Sequence, residues 1–265
     1  MRIFDFHTHI FPDDLAPHAL GKLAYGNHTV PFTDGTLKGT IAATAPHGIS
    51  GFLTLHIATN VKQQANVNNF AIATQVSGAA YAFGSVHPNS PDALSELKRI
   101  KQAGLKGIKM HPDYQDFYLA SKSLYPIYDL CRDLDLTILF HAGHDPAFKD
   151  LKASPDDIKT IAKDFKGLKF VAAHFGGLML ADKVADELAG KAEVYLDTSC
   201  AVGFIDDKTA TKIISRHGAE NILFGSDCPW GSPKQHFEFI DSLLLSDNQK
   251  ELIFSKNAER LLEKL

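Results

Sequence analysis

The sequence predicts an α/β protein with a (β/α)8 barrel of the TIM type and an extra C-terminal helix. Short, near-continuous apolar segments alternate with helical segments along the whole chain, which is the pattern of a parallel sheet covered by helices. The chain has 265 residues, close to the roughly 250 that one such barrel needs. Because no linker or change in composition divides the chain, we expect one domain over residues 1–265.

Eight strands and the helices between them follow from this alternation. The predicted strands are residues 1–9, 51–56, 80–87, 105–111, 136–141, 168–174, 193–197 and 221–227. The predicted helices are residues 36–47, 61–77, 91–103, 123–134, 155–165, 177–189, 206–217, 233–245 and 248–262. Ser90 before Pro91 and Ser154 before Pro155 are signals for the start of a helix, since serine caps and proline fits the first turn.

The segment from Phe11 to Gly35 is predicted to be a long loop after the first strand. Loops longer than about 12–15 residues in compact domains are commonly lids or binding loops. We therefore expect this loop and residues 113–122 to wall a pocket. An open, doubly wound sheet is the alternative fold, but it predicts a glycine-rich turn after the first strand. That turn is instead His-Thr-His-Ile-Phe-Pro.

Composition and charge exclude several classes of function. The net charge is −4 and no basic stripe is present, so nucleic acid is not an expected partner. No run reaches the ~18 apolar residues of a membrane span, and no signal peptide is expected. Three widely spaced cysteines do not suggest a disulfide framework, which favours a cytoplasmic location. The expected partner is a small-molecule substrate, and a homodimer stays an open alternative.

Polar side chains occupy the C-terminal ends of the predicted strands, where the active sites of such barrels lie. Most of them are histidines, whose imidazoles are common metal ligands near neutral pH. The set comprises His7, His9, His56, His87, Lys109, His111, His141, His174, Asp197 or Ser199, and Asp227. Two histidines on the same face of one strand, as in His7-Thr8-His9, can share one ion.

Strict alternation of side chains predicts which residues face the barrel interior. In the first strand it places Ile3, Asp5, His7 and His9 on one face, and Phe4 and Phe6 on the other. The predicted interior residues of later strands are Gly107, Lys109, His111, Thr137, Leu139, His141, Phe170, Ala172, His174, Leu223, Gly225 and Asp227. Ile108 and Met110 are predicted to face the helices.

Several motifs together resemble the amidohydrolase superfamily. They are similar in particular to its amidohydrolase-related branch, which includes the aminocarboxymuconate-semialdehyde decarboxylase type. The motifs are His7-Thr8-His9, Val86-His87-Pro88, Gly107 to Pro112, His141, His174 with Gly176-Gly177, Gly225-Ser226-Asp227-Cys228-Pro229, and the ending from Lys256 to Leu262. The resemblance extends over nearly the whole chain and keeps the motif order.

The resemblance implies a metal site with four ligands, His7, His9, His141 and Asp227. Asp227 would also relay a proton, and His174 would either orient a water molecule or bind a second metal. Three neutral imidazoles and one carboxylate suit Zn²⁺ and tolerate Mn²⁺. One ion is expected and two stay open, because related two-metal proteins bridge their ions with a carbamylated lysine and Lys109 is in the matching strand. An ion pair between Lys109 and Asp5 is the structural alternative.

We therefore expect a metal-dependent hydrolase of a small amide, ester or lactone, with a metal-activated water as nucleophile. Asp227 and His174 are the expected catalytic residues. The expected substrate-binding residues are Lys109, His111, His56 and His87. The alternative is a metal-dependent, non-oxidative decarboxylase of a small aromatic or unsaturated carboxylic acid. A cluster of cationic groups that holds a carboxylate favours this alternative.

Overall fold

The computed structural model describes residues 2–27 and 30–263, and of residues 23–27 it describes the backbone only. Eight strands alternate with helices in the predicted order. The strands are β1 Ile3–Thr8, β2 Ile49–Leu55, β3 Tyr81–Phe83, β4 Gly107–Met110, β5 Thr137–Phe140, β6 Phe170–Ala172, β7 Tyr195–Asp197 and β8 Ile222–Leu223. Most strands end before the predicted polar residue, which therefore lies just beyond its strand at the common C-terminal edge.

The strands pair in parallel as two sheets, β1-β2-β3 and β4-β5-β6-β7-β8. Backbone hydrogen bonds join the sheets at both seams. Between β3 and β4, Lys109 N–H donates to Gly84 O over 2.7 Å. Between β8 and β1, Asp227 N–H donates to His7 O over 2.8 Å. The predicted α/β fold of the TIM type is confirmed, although its regular pairing is divided between the two sheets.

Helices follow the strands as predicted, and additional helices follow β8. They are α1 Ala16–Asn27, α2 Leu37–Thr44, α3 Gln64–Ser77, α4 Ala93–Gln102, α5 Tyr125–Asp133, α6 Pro155–Asp164, α7 Ala181–Lys183, α8 Asp207–His217, α9 Pro233–Ser242, α10 Asp247–Glu251 and α11 Asn257–Leu261. The turns Val184–Leu188 and Leu252–Lys256 are π-helical. Among the described residues, none of these helices has the length and apolar character needed to cross a membrane.

The loop predicted between Phe11 and Gly35 contains a helix, so that prediction is wrong. Pro17 lies in the first turn of α1, where a missing N–H costs nothing. Gly21 has open space around its Cα, and the helix tolerates it. His28, which belongs to the segment predicted as this loop, lies outside the described residues.

Two of the predicted helix starts are also corrected. The capping box at Ser154 is present, because its side chain accepts from Asp157 N–H and Asp157 bonds back to Ser154 N–H. Ser90 does not cap α4, which starts at Ala93 behind Asp92. Gly176 and Gly177 do not open a helix directly, since the chain first makes a turn with positive φ at His174, Phe175 and Gly176, and α7 starts only at Ala181.

One apolar cluster takes side chains from β1, β2, β3, β5, β6 and β8, together with α11. Side chains from all these strands can meet only in the space that the two sheets enclose, so this cluster is the interior of the fold. Leu139 and Leu223 belong to it as predicted. Ile108 and Met110 belong to the larger cluster under the helices, also as predicted.

The alternation predicted for β1 and β6 is wrong. Phe4 and Phe6 lie in the interior cluster, and Asp5 accepts a hydrogen bond from Ser226 N–H over 3.0 Å. A register shift between Asp5 and Thr8 interrupts the alternation before His7, as a β-bulge does. In β6 the interior residue is Val171, with Ala173 just beyond the strand, while Phe170 and Ala172 pack under the helices.

Candidate active site

Three of the predicted ligands each contribute one atom to a small triangle at the C-terminal edge of the two sheets. His7 Nε2 and His9 Nε2 lie 3.2 Å apart, and Asp227 Oδ1 lies 3.2 Å from each of them. Donor atoms about 2.1 Å from a tetrahedral ion lie about 3.4 Å from one another. The spacing of the triangle therefore fits three ligands of a single transition-metal ion.

Both imidazoles of the triangle are oriented through their other nitrogen. His7 Nδ1 lies 2.8 Å from Asp197 Oδ2, and His9 Nδ1 lies 2.9 Å from the carbonyl oxygen of Leu55. Because a carboxylate and a carbonyl accept, each Nδ1 carries a proton, and Nε2 is the nitrogen of each ring that could bind an ion. A hydrogen bond of this kind behind a histidine is the usual arrangement for metal ligands.

Asp227 enters the triangle through an unusual backbone conformation. Its φ is 64°, in the left-handed region that non-glycine residues seldom adopt and that is often found at functional sites. Its other oxygen, Oδ2, accepts from Cys200 Sγ over 3.0 Å. Burial opposes its charge, but His7 and His9 hold the pKa of Asp227 well below its usual range, so the carboxylate is ionised.

His141 and His174 form a second pair beside the triangle. His174 Nε2 lies 2.9 Å from His141 Nδ1, and the rings of His7 and His174 have centroids 5.3 Å apart. Burial lowers the pKa of His174 to about 4, so it is neutral at pH 7. His141 Nε2 is buried and, among the described residues, has no hydrogen-bond partner. It is an unused acceptor inside the site.

The predicted ligand His141 is grouped differently from the other three. Its ligand atom lies within 4.8 Å of those of His111 and Asp145, and the two imidazoles stack at 4.1 Å. A third group with the same limit joins His174, Cys200 and Asp227. The described part of the site thus contains three donor groups, two of which share Asp227, and in the triangle of His7, His9 and Asp227 all three distances are 3.2 Å.

Lys109 lies in the floor of the site and is 1% exposed. Its Nζ is 3.4 Å from His7 Nε2, and within the described residues it forms no ion pair. Burial lowers the pKa of Lys109 to about 8, against the attraction of Asp197 and Asp227. The alternative pairing with Asp5 is wrong, because both oxygens of Asp5 accept from the Ser226 side chain and from backbone N–H groups.

The other predicted substrate-binding histidines lie in different surroundings. His111 faces Tyr114, with ring centroids 4.5 Å apart, and its Nε2 is 3.8 Å from Asp145 Oδ2. His56 is buried against Phe70, and burial lowers its pKa to about 3. His87 Nδ1 accepts from Asn89 N–H within its own turn. The side-chain hydrogen bond of His87 is therefore local, whereas the contacts of the His111 ring are with the site.

The sequence assigns no ligand, catalytic or substrate-binding role to four polar residues of the site, although it places Asp197 or Ser199 at a strand end: Asp197, Ser199, Cys200 and Asp145. Asp197 accepts hydrogen bonds from His7 and Ser199. Burial raises its pKa, but these contacts outweigh burial and hold the pKa well below the usual range. In the sequence, three of these residues belong to the polar run at the end of β7, Asp197-Thr-Ser-Cys200. Its position at a strand end suggests a site residue, but no local pattern indicates which histidine it contacts.

The structure thus places candidate metal ligands together at the C-terminal edge of a TIM-type α/β fold. A family model described as amidohydrolase matches residues 4–264. The chain belongs to the amidohydrolase family, as the motifs predicted. A search among curated proteins finds no significant match.

Solved structures with the same fold cover nearly the whole chain. An uncharacterised TIM-barrel protein from Bordetella bronchiseptica superimposes with a TM-score of 0.82, 18% identity and 99% coverage of both chains. 5-carboxyvanillate decarboxylase from Sphingomonas paucimobilis gives 0.71 and 14%, covering 100% of this chain and 99% of the other. A dihydroxybenzoic acid decarboxylase from Polaromonas, with bound manganese and 2-nitroresorcinol, gives 0.73 and 14%, covering 99% and 97%. At these identities the likeness is one of fold.

Proposed function

We propose that this chain is a metal-dependent, non-oxidative decarboxylase of a small, planar carboxylic acid. Two of the solved structures with this fold are named as decarboxylases of aromatic acids. The sequence identity to them is 14%, so the function of this chain is inferred from the residues of its own site. The proposal reverses the preference of the sequence analysis, in which a hydrolase came first and the decarboxylase was the alternative.

The observation that carries the proposal is the buried ammonium of Lys109. A charged group that is 1% exposed is costly unless an opposite charge reaches it. Lys109 Nζ has a histidine nitrogen at 3.4 Å and no carboxylate at ion-pair distance among the described residues. A substrate carboxylate placed above the triangle supplies that missing partner. A neutral amide, ester or lactone does not.

We assign His7, His9, His141 and Asp227 as the ligands of one ion, Zn²⁺ or Mn²⁺. The 3.2 Å triangle supports the first two histidines and Asp227. His141 is the fourth by its place in the motif order; its buried Nε2 has no partner among the described residues, and its ligand atom groups with those of His111 and Asp145. Three nitrogens with one carboxylate oxygen suit either metal. When bound, the ion supplies a Lewis acid that draws electron density from a substrate oxygen.

The residues of the chain then divide the remaining tasks. Lys109 Nζ holds the carboxylate, and His111, stacked on His141, lies beside the plane of the substrate. When the carbon–carbon bond breaks and CO2 leaves, its electron pair stays on the substrate carbon. The ammonium of Lys109 stabilises that charge and gives its proton to the carbon, after which it regains a proton from water. The neutral imidazole of His174 lies against His141 and takes no part in the proton transfer.

A hydrolase of a small amide, ester or lactone stays the second candidate. The ionised carboxylate of Asp227 supports it, because a base held at a metal site can accept the proton of an attacking water. In that reaction Asp227 would pass the proton on to the leaving group, and Lys109 would hold a carboxylate elsewhere on the substrate.

The two candidates are distinguished by products. Protein loaded with Mn²⁺ or Zn²⁺ is incubated with 2,6-dihydroxybenzoate, 5-carboxyvanillate and other aromatic acids, and separately with a panel of lactones, esters and amides. We expect release of CO2 and the matching decarboxylated product, absent from the His7→Ala variant. Hydrolysis of the second panel without CO2 from the first would establish the hydrolase instead.

A further inference from the structure

One buried amide, the side chain of Gln115, joins the ends of three strands. Gln115 lies in the segment that follows β4 and is 1% exposed. Its Nε2 donates to the carbonyl oxygens of Ala58 and Val86, each over 2.9 Å. Its Oε1 accepts from His111 N–H, also over 2.9 Å. Because Ala58 follows β2, Val86 follows β3 and His111 follows β4, one side chain connects three neighbouring strand ends.

The orientation of this amide is set by its partners. A backbone carbonyl can only accept and a backbone N–H can only donate. The NH2 group of Gln115 therefore faces the two carbonyls, and its oxygen faces His111. In the opposite orientation the amide oxygen would face two other oxygens. Both N–H donors of the amide and one lone pair of its oxygen are thus used inside the protein.

The three strand ends lie on both sides of a seam between the two sheets. The strands β2 and β3 belong to the first sheet, and β4 is the first strand of the second. Among the described residues, backbone pairing across this seam is limited to one bridge, between Gly84 and Ile108. The Ser85 hydroxyl adds a bond to Lys109 O over 2.8 Å. Gln115 extends this limited pairing to the C-terminal edge, where the site lies.

Gln115 acts on the site through His111. It makes two hydrogen bonds with the backbone of that residue, because Gln115 N–H also donates to His111 O over 3.0 Å. The ring of His111 in turn stacks on His141. The backbone of Lys109 has its own bonds across the seam. Loss of the amide should therefore displace His111 more than Lys109.

We propose that Gln115 is a positioning residue that holds His111 against the ends of β2 and β3 and so fixes one wall of the substrate site. We call the three bonds of its amide, to Ala58, Val86 and His111, the Gln115 clamp. The contribution of the clamp to turnover rests on the proposed function, in which His111 lies beside the plane of the substrate. The clamp itself does not.

Hydrogen–deuterium exchange of the metal-free protein tests the clamp without substrate or turnover. Gln115→Met keeps most of the side-chain volume and removes all three bonds. We expect faster exchange than in the wild type in peptides that include residues 84–88 and 107–112. Unchanged exchange there would overturn the proposal, whatever the outcome for the decarboxylase assignment. If Gln115→Met does not fold, Gln115→Asn, which keeps an amide but is one methylene shorter, is measured in the same way.

Steady-state kinetics separates positioning from stability. The substrate is the acid of the panel above that the Mn²⁺-loaded wild type decarboxylates, with 2,6-dihydroxybenzoate as the first choice. We expect KM of Gln115→Met to rise about 10–100-fold, since a misplacement of about 1 Å can cost that much. The value of kcat should stay within about threefold, because contact made equally in the ground and transition states affects KM alone.

Two other outcomes are distinct. A loss of folded protein alone would lower metal content and kcat together and leave KM unchanged, which would make Gln115 purely structural and contradict the proposal. Absence of CO2 release by the wild type would contradict the decarboxylase assignment, while the exchange experiment would still decide on the clamp.

Asn257→Leu is the matched control. Asn257 is another buried amide, and its Nδ2 donates to two backbone carbonyls, those of Ala219 and Ile222. Ile222 is the first residue of β8, so this amide lies at the edge opposite the site. The control should lower the unfolding free energy as Gln115→Met does, but should leave KM and the exchange of residues 107–112 unchanged. A rise of KM in both variants would overturn the proposal.

Discussion

At the scale of single residues, the site depends on which groups carry charge and which nitrogens carry protons. Lys109 is buried 3.4 Å from a nitrogen of His7, and in the proposed function it holds the carboxylate of the substrate. His174 stands behind the triangle and bonds to His141 and Ser199. Substitutions at these two positions separate substrate binding from metal binding.

Lys109→Met keeps most of the side-chain volume and removes the charge. We expect kcat/KM for an aromatic carboxylate to fall at least about 100-fold, because the developing negative charge loses its partner, while metal content stays at the wild-type value. Elemental analysis and steady-state kinetics measure the two quantities. Lys169→Met, at the surface beside Asp135, is the control and should change neither. Loss of the metal in Lys109→Met would make Lys109 a ligand or a carbamylated bridge.

His174→Ala should keep roughly the wild-type content of tightly bound metal, because the triangle of His7, His9 and Asp227 is intact. We expect kcat to fall about 10–100-fold, because His141 loses the nitrogen that faces its Nδ1 and outer partners of this kind contribute about that much to activity. His7→Ala is the comparison and should lose metal and activity together. If His174→Ala empties the site as completely as His7→Ala does, then His174 is itself a primary ligand.

At the scale of elements, the segments that follow β5 and β6 are held against each other by backbone hydrogen bonds. His144 N–H donates to Leu178 O, and Leu178 N–H donates to Ala142 O, each over 2.9 Å. These bonds lie directly after His141 and His174 in the two segments. Gly143, with φ 89°, lies between them and lets the backbones approach closely.

Gly143→Ala should therefore damage the site as well as the fold. An added Cβ would lie 2.1 Å from Leu178 N, so the two segments must separate. Gly167 is the matched control, since its φ is also positive, at 83°, but its Cβ would meet nothing within 4 Å. We expect Gly167→Ala to lower the unfolding free energy by about 1–2 kcal/mol from backbone strain alone.

Gly143→Ala should lower the unfolding free energy further than Gly167→Ala and should also lower kcat, since His141 and His174 move with their segments. Urea unfolding and steady-state kinetics of both variants provide the comparison. Equal losses of stability with unchanged kcat in both would mean that the close approach at Gly143 does not position the histidines.

At the scale of the whole molecule, an ion bound at the triangle would link the two sheets. The triangle takes His7 and His9 from the end of β1 and Asp227 from the segment after β8, and the seam between these strands joins one sheet to the other. An ion bound there holds both sides of the seam. It should stabilise the folded state by mass action.

Metal-free protein, prepared with a chelator, should bind one Mn²⁺ or Zn²⁺ per chain. At an ion concentration of about 100 Kd, the folded state gains about 2.7 kcal/mol, which corresponds to a rise in Tm of about 5–10 °C for a chain of this size. Calorimetric titration and thermal unfolding measure both. His7→Ala should show neither effect. Binding of two ions that depends on bicarbonate would instead support a carbamylated Lys109.

The sequence by itself determined the order of strands and helices and the kinds of side chain at the strand ends. Both are local properties: apolar periodicity reports secondary structure, and the residue that ends an apolar strand is read directly from the sequence. The His-x-His pair after β1 and the Ser-Asp-Cys-Pro segment after β8 were therefore sufficient to predict the family and the triangle's members. Pairing of strands at the seam then brings these two ends together.

The tertiary structure alone decided which nitrogens form the triangle and which groups lie behind them. The register shift in β1 and the left-handed turn at His174 break the alternation on which interior positions were predicted. The bond from Asp197 to His7 joins residues 190 positions apart. No periodicity records such contacts, because they depend on how strands pair and where the backbone bends, and both are settled only when the whole core packs.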